Sequence, residues 1–168
     1  IVDEYQTFAY RVAFRFVGQT AEAEDIVQES FISLWNNIHR YRTEIKITTW
    51  LYRIIANRSL DFLKSSSAKQ RKNHVDMELG DTLKQETTPV SELEGKELMN
   101  AITHAAELLT PKQRAVFVLR DLEGLTVEEV CDVLSISSGN MKSNLYYARQ
   151  AVSKTLKPYF ETNNSIKL

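Results

Sequence analysis

A chain of 168 residues that is 43% hydrophobic and 26% charged has enough apolar content for a buried core, and its length suits one domain or two small ones. No apolar run approaches the roughly 20 residues that span a bilayer, and the acidic, aromatic start IVDEYQTFAY is unlike a secretory leader, so the chain is expected in the cytosol. The net charge of −1 is uneven: residues 1–72 carry 11 Lys/Arg and 8 Asp/Glu, residues 73–97 carry 2 and 7, and residues 98–168 carry 8 and 7, a pattern of two modules facing an anion across an acidic joint.

The first module reads as all-helical. Apolar spacing predicts helices over about Val2–Val17, Ala21–His39 and Thr48–Lys64 or a little beyond. Gly18 supplies a stop after the first, and Thr20 is the expected N-cap of the second. That second helix buries Ala23, Ile26, Val27, Phe31, Leu34 and Ile38, which leaves Asp25, Gln28, Glu29 and Ser33 outside. Arg40–Thr49 (RYRTEIKITT) lacks helical periodicity and is expected to be an exposed basic and aromatic loop. In TTWLYRIIANRSLDFLK, Leu51, Ile54, Ile55, Phe62 and Leu63 make the buried stripe. Trp50, Arg53, Asn57 and Lys64 recur at three, four and seven, so a stacking ring, two cations and an amide share a second stripe. That stripe suits nucleic acid, and it equally suits a solvated face with a snorkelling Arg and a half-buried Trp.

Ser65 to about Pro89 is polar and poor in apolar residues, which predicts a flexible linker. A second helical module begins near Glu92, with Leu98, Ile102, Ala105, Leu108 and Leu109 along one side. Thr110–Pro111 opens a helix running through Arg120, and Gly124 ends that segment. Thr126 and Glu129 form a capping box for a short helix ending at Leu134. Cys131, the single cysteine, excludes an internal disulfide and reads as a buried apolar thiol among Val130, Val133 and Leu134. After the turn Ser135–Ser137, a helix over about Gly139–Leu156 turns Met141, Leu145, Ala148 and Val152 inward and Lys142, Ser143, Tyr146, Tyr147, Arg149 and Gln150 outward. A short capped helix, a tight turn and a second helix with a basic, hydroxylated and aromatic outside is the helix-turn-helix plan, which small helical bundles also imitate. The fold class expected is therefore all-α: two small helical domains, 1–72 and 92–168, joined by a flexible acidic linker over 73–91.

Taken in order, AEAEDIVQESFISLW, WLYRIIANRSLDFLK, a polar linker, LTPKQRAVFVLRDLEGLTVEEVCDVL and SSGNMKSNLYYAR resemble bacterial extracytoplasmic-function sigma factors over nearly the whole chain. The resemblance implies a protein that binds core RNA polymerase and directs promoter-specific initiation, with domain 1–72 taking the minus-ten element and domain 92–168 the minus-thirty-five element. By position it assigns Asp25, Gln28, Glu29 and Ser33 to the clamp helices of the polymerase's largest subunit. It assigns Arg40, Tyr41, Arg42, Trp50, Arg53 and Asn57 to the minus-ten element, where rings receive unpaired bases and cations hold phosphates. Arg120, Lys142, Ser143, Tyr146, Tyr147 and Arg149 fall to the minus-thirty-five element. Asn144 and Tyr147 stand where relatives commonly carry a basic residue, so no promoter motif can be borrowed.

Further partners implied are the flap of the second-largest subunit and an anti-sigma factor, which would hold the cytoplasmic protein at the membrane in some cases. Neither a small-molecule substrate nor a cofactor is implied. His39, His74 and His104 lack a companion at ligand spacing, so no metal is expected, and no catalytic set is legible, so the chain is expected not to be an enzyme. The alternative function is a stand-alone helix-turn-helix regulator, which would need a ligand pocket or dimer seam in the first module.

Overall fold

The computed structural model describes residues 2–40, 46–72 and 90–164, and every regular element among them is helical. In chain order these are α1 (Val2–Val17), α2 (Thr20–Asn37), a 3-10 turn (Ile38–Arg40), α3 (Ile47–Lys72), α4 (Val90–Glu107), α5 (Pro111–Phe117) running into a π-helical turn (Val118–Leu122), α6 (Val127–Leu134) and α7 (Ser138–Asn164). The all-α expectation holds. Helices α1, α2 and α3 pack on one another around Val12, Phe16, Ile26, Leu34, Leu51 and Ile55. Helices α4, α5 and α6 each pack on α7, whose Met141, Leu145, Ala148 and Val152 all point inward as their spacing requires.

Local chemistry explains most of the boundaries. Thr110 and Thr126 are both N-caps with complete capping boxes, to Gln113 and Glu129, and α6 ends at Leu134 as its pattern predicts. Ser135 takes up the left-handed conformation (φ 53°) that turns the chain from α6 into α7. Gly18 (φ 75°) closes α1, and a side chain there would collide with the Glu107 carboxylate as well as strain the backbone.

Several expectations are corrected. Thr20 is the first residue of α2, and Gln19 is the N-cap without a side-chain hydrogen bond. Thr48 and Thr49 open α3 as the helix expected from Thr48 requires, and Ile47, expected only in the loop, joins them in its first turn, where the Lys46 carbonyl accepts from the N–H groups of Thr49 (3.0 Å) and Trp50 (3.3 Å). β-Branched residues are a weak signal against a helix, and here tertiary packing overrides them. The helix also continues through Ser65–Lys72, where Ala68, Lys69, Gln70, Arg71 and Lys72 are all good helix formers; of the linker expected over 73–91, residues 73–89 lie outside the described residues, and Val90 and Ser91 already belong to α4. Helix α7 passes Leu156 and Pro158 and runs to Asn164. Leu108 is 66% exposed, because the backbone tightens after α4: the N–H groups of Leu108 and Leu109 bond back three residues, to Ala105 and Ala106, which turns Leu108 out and Leu109 in. Ile38 also faces solvent, on the 3-10 turn that follows α2, and Cys131 is only half-buried.

The two halves of the chain pack face to face. Helix α3 lies against both α5 and α6, and one apolar cluster takes in Phe16, Leu51 and Ile55 together with Val116, Leu119, Val130 and Met141. At a second point of contact the Gly18 turn sits against Glu107 and Arg114. Arg114 is only 4% exposed; burial holds its pKa below the ordinary guanidinium value, and the Glu107 carboxylate works in the opposite direction.

Candidate nucleic-acid interface

Helix α3 carries the first set of candidate residues. Leu51 and Ile55 anchor it in the core, so the stripe at Trp50, Arg53 and Asn57 is set by rotation about that anchor. Trp50 is half-buried and packs against the apolar cluster, while Asn57 and Lys64 are exposed. Asn57 and Lys64 line a small cleft of about 170 Å³ with Lys112, Asn140 and Asn144, which brings amides and cations of both halves together. Arg53 is committed elsewhere: its Nη2 pairs with Asp132 Oδ1 of α6 at 2.8 Å and donates to the Asp132 carbonyl at 3.2 Å. Arg40 belongs to the 3-10 turn; its side chain, and all of Tyr41 and Arg42, lie outside the described residues.

Tyr52, between Trp50 and Arg53, was not among the expected site residues. Its ring meets Phe8 edge-on (centroids 4.9 Å apart, 81° between planes), and its hydroxyl donates to Glu123 Oε2 at 2.9 Å. Burial first, and then the adjacent Glu123 carboxylate, push its pKa well above the ordinary phenol value, so Tyr52 stays protonated at neutral pH. No sequence signal joins Tyr52 to Glu123, because 71 positions separate them.

On α2, Asp25, Gln28 and Glu29 are exposed, as expected from the buried run Ala23, Ile26, Val27, Ser30 and Leu34. Glu29 is paired with Arg58 of α3 (2.6 Å), and Ser33 is half-buried, its carbonyl accepting from Asn37. The sequence reading missed the apolar part of this face. Ile32 is 55% and Trp35 78% exposed, and with Asp25 and Gln28 they follow one another at intervals of three, four and three. That spacing, a Trp one residue off the buried Leu34 stripe, was the available signal. An exposed tryptophan within a polar stripe marks an interaction surface far better than the carboxylates beside it.

The third set lies on α7. Lys142, Ser143, Tyr146, Tyr147, Arg149 and Gln150 are all exposed. Tyr146 and Tyr147 touch edge to face (5.4 Å), and Gln150 donates to the Tyr146 hydroxyl (2.7 Å). Arg149 forms a two-pronged pair with Asp121 (2.8 and 2.6 Å), and this hydrogen bonding raises its pKa further above the ordinary guanidinium value. Arg120 is partly buried and donates to the Leu125 carbonyl (2.7 Å), closing the turn that leads to α6. Lys142, Ser143, Tyr146 and Tyr147 are thus the members of the expected set that are exposed and not drawn to another element of the fold.

Residues 1–69 match the family Sigma-70 region 2, and residues 99–152 match the family Sigma-70, region 4. Over 166 residues the chain is 31% identical to the ECF RNA polymerase sigma factor SigW of Bacillus subtilis (strain 168), covering 94% of this chain and 87% of that protein. The chain belongs to the ECF RNA polymerase sigma factors. It is also 26% identical over 164 residues to the ECF RNA polymerase sigma-E factor of Haemophilus influenzae, covering 94% and 86% of the two chains. The same fold occurs in the sigma factor RpoE of Bartonella quintana, solved with the anti-sigma factor NepR (TM-score 0.70, 18% identity, 94% of this chain and 98% of that one). It occurs again in CnrH, solved with the cytosolic domain of CnrY (TM-score 0.63, 19% identity, 94% and 85%). As a sigma factor the protein serves transcription initiation, with core RNA polymerase and promoter DNA as its partners. Among the described residues no helix is long and apolar enough to cross a membrane, and no group of His, Cys, Asp and Glu could hold a metal.

Proposed function

We propose that this sigma factor divides its work between domains 1–72 and 92–168, joined through 73–91. Helix α2 docks on the polymerase clamp through Asp25, Gln28 and Glu29, with Ser33 at the edge and Ile32 and Trp35 as the apolar anchor. The stripe Trp50, Arg53 and Asn57, with the preceding segment Arg40, Tyr41 and Arg42, captures the opened minus-ten strand by stacking and phosphate pairing. Helix α7 enters the major groove of the minus-thirty-five element, where Lys142, Ser143, Tyr146 and Tyr147 reach base edges while Arg120 and Arg149 shape and support that surface. The second domain also meets the polymerase flap. The protein works in the cytoplasm as a binding subunit without catalysis of its own, and an anti-sigma factor controls it, as NepR accompanies RpoE and CnrY accompanies CnrH in their complexes.

The observation that carries the reading is the division of α7: a fully inward Met141–Leu145–Ala148 stripe beneath an exposed polar and aromatic face, directly after a capped helix and a left-handed turn. The test is run-off transcription with purified core polymerase on a library of minus-thirty-five variants. Initiation should require the added chain. Lys142→Ala and Tyr146→Ala should re-rank the variants, with about 1–3 kcal/mol at the base pair each residue reads. A uniform loss across the library would assign both side chains to phosphate affinity alone.

A further inference from the structure

Four parts of the chain converge on the cleft of about 170 Å³ beside Asn57: α3, α5, the end of α6 with the turn after it, and the start of α7. Its wall is apolar, made by Leu60, Val116, Leu134 and Ile136. Its polar groups are cations and amides, and among the described residues no Asp or Glu lines it. Lys64 contributes from α3 and Lys112 from α5, and neither is paired with a carboxylate among the described residues. Two ammonium groups sharing one cleft without a counter-ion repel each other, and an anion between them turns that repulsion into two attractions. Asn140 and Asn144 stand in the first two turns of α7, at the positive end of its dipole. The Asn144 amide donates to the Asn140 backbone carbonyl (2.9 Å) and side-chain oxygen (2.5 Å), which leaves the Asn140 amide hydrogens as donors.

Volume sets the size of the ligand, since an apolar cavity of about 150 Å³ holds a benzene ring. We propose that this cleft is a binding site for a small organic carboxylate with a ring-sized apolar body: the body lies against Leu60, Val116 and Ile136, and the carboxylate sits between Lys64 and Lys112, accepting from the Asn140 amide. Inorganic phosphate lacks the apolar body and a neutral ring lacks the charge, so neither uses the whole site. The lining comes from α3 as well as from α5 and α7, so a bound carboxylate stabilises the folded chain as a whole. A ligand that binds only the native chain raises its thermal midpoint as its concentration rises. Of the polar groups in the cleft, Asn57 alone is shared with the promoter reading, and the site does not depend on that reading.

The test uses the full-length chain with benzoate as the probe, at fixed pH and ionic strength. Isothermal titration should show saturable binding, and the thermal midpoint should rise with benzoate concentration. Acetate, inorganic phosphate and benzyl alcohol should each bind roughly tenfold more weakly or worse, because each lacks the ring or the carboxylate. Lys64→Gln combined with Lys112→Gln should weaken benzoate binding roughly tenfold, the loss of two ion pairs at an open rim. Both lysines lie outside the buried core, and circular dichroism checks the fold. Lys154→Gln removes the same charge from the exposed surface of the distal half of α7 and should leave benzoate binding unchanged, which separates a site from general attraction of anions. Absence of saturable binding, equal binding of phosphate or benzyl alcohol, or an affinity indifferent to the lysine pair overturns the proposal. If the double variant does not fold, nuclear Overhauser contacts from benzoate to the methyl groups of the wild-type chain decide the matter: contacts to Val116 and Ile136 uphold the site, and contacts only elsewhere overturn it. Run-off transcription without benzoate tests the promoter reading separately, so either can fail while the other stands.

Discussion

Replacing Trp35 by alanine separates docking from folding more cleanly than any charge reversal on α2. Its side chain is 78% exposed, so truncation leaves the core of α1–α3 intact and should change the thermal midpoint by little. A tryptophan side chain offers about 150–250 Å² of surface; at that exposure roughly 120–200 Å² is still available to a partner. At about 25 cal/mol per Å² complete burial would be worth about 3–5 kcal/mol, and incomplete burial reduces this to about 2–4 kcal/mol, a thirtyfold to thousandfold loss of affinity. The assay is competition of unlabelled variant against fluorescently labelled wild-type chain for core polymerase, with circular dichroism and thermal melting as folding controls. Glu29→Ala should be several times milder, because Glu29 already pairs with Arg58 in the free chain and an exposed pair contributes about 1 kcal/mol or less. Competition by Trp35→Ala within twofold of wild type, with a normal melt, would refute the assignment of this face to polymerase.

Thr126→Ala removes the hydroxyl that accepts from the Glu129 N–H (3.2 Å) and keeps the backbone N–H at 126 that donates to the Glu129 carboxylate (2.8 Å). The loss should be about 1 kcal/mol, read as a lower urea midpoint with an unchanged m-value. Tyr52 gives a pH signature: its raised pKa favours the phenol in the folded chain, so its contribution is complete below about pH 10 and is lost as the pH climbs toward the elevated folded value. Absorbance of phenolate should show a late-ionising step that Tyr52→Phe deletes; a titration unchanged by that substitution would contradict the buried contact with Glu123.

What the sequence made legible were features whose cause lies within a few residues. The N-cap at Thr110, the capping box at Thr126, the Gly18 stop, the end of α6 and the inward stripe of α7 all follow from residue spacings of four or fewer along a turn, and each was readable. Misreadings occurred where local composition and tertiary need diverge. Ile47 looks like loop and serves in a helical turn, and Ser65–Ser67 look like linker and lie within α3. Leu108 fits the apolar period of α4 and faces out, because the helix tightens one residue before the period would place it inward.

Site residues divide along the same line, and the division bears on how their roles should be tested. Exposure of Lys142, Ser143 and Tyr146 could be inferred from the positions of Met141 and Leu145 alone. The partners of Arg53, Arg120 and Arg149 could not, because Asp132 and Asp121 reach them from other helices or turns and the Leu125 carbonyl from across a turn. A cation on an outward stripe looks free in sequence, yet in a small protein whose two halves meet, the nearest anion is often an internal carboxylate. Substituting such an arginine therefore perturbs two things at once: it removes a possible phosphate contact and leaves an aspartate without its counter-ion. Single arginine replacements in this chain would conflate those effects. The aspartate side is the cleaner handle, since Asp132→Ala and Asp121→Ala keep the cations and remove the carboxylates that pair with them. If Arg53 and Arg149 hold phosphate in the promoter complex, releasing them should strengthen DNA binding at low salt and steepen its salt dependence, because each freed cation can displace a counter-ion from the backbone.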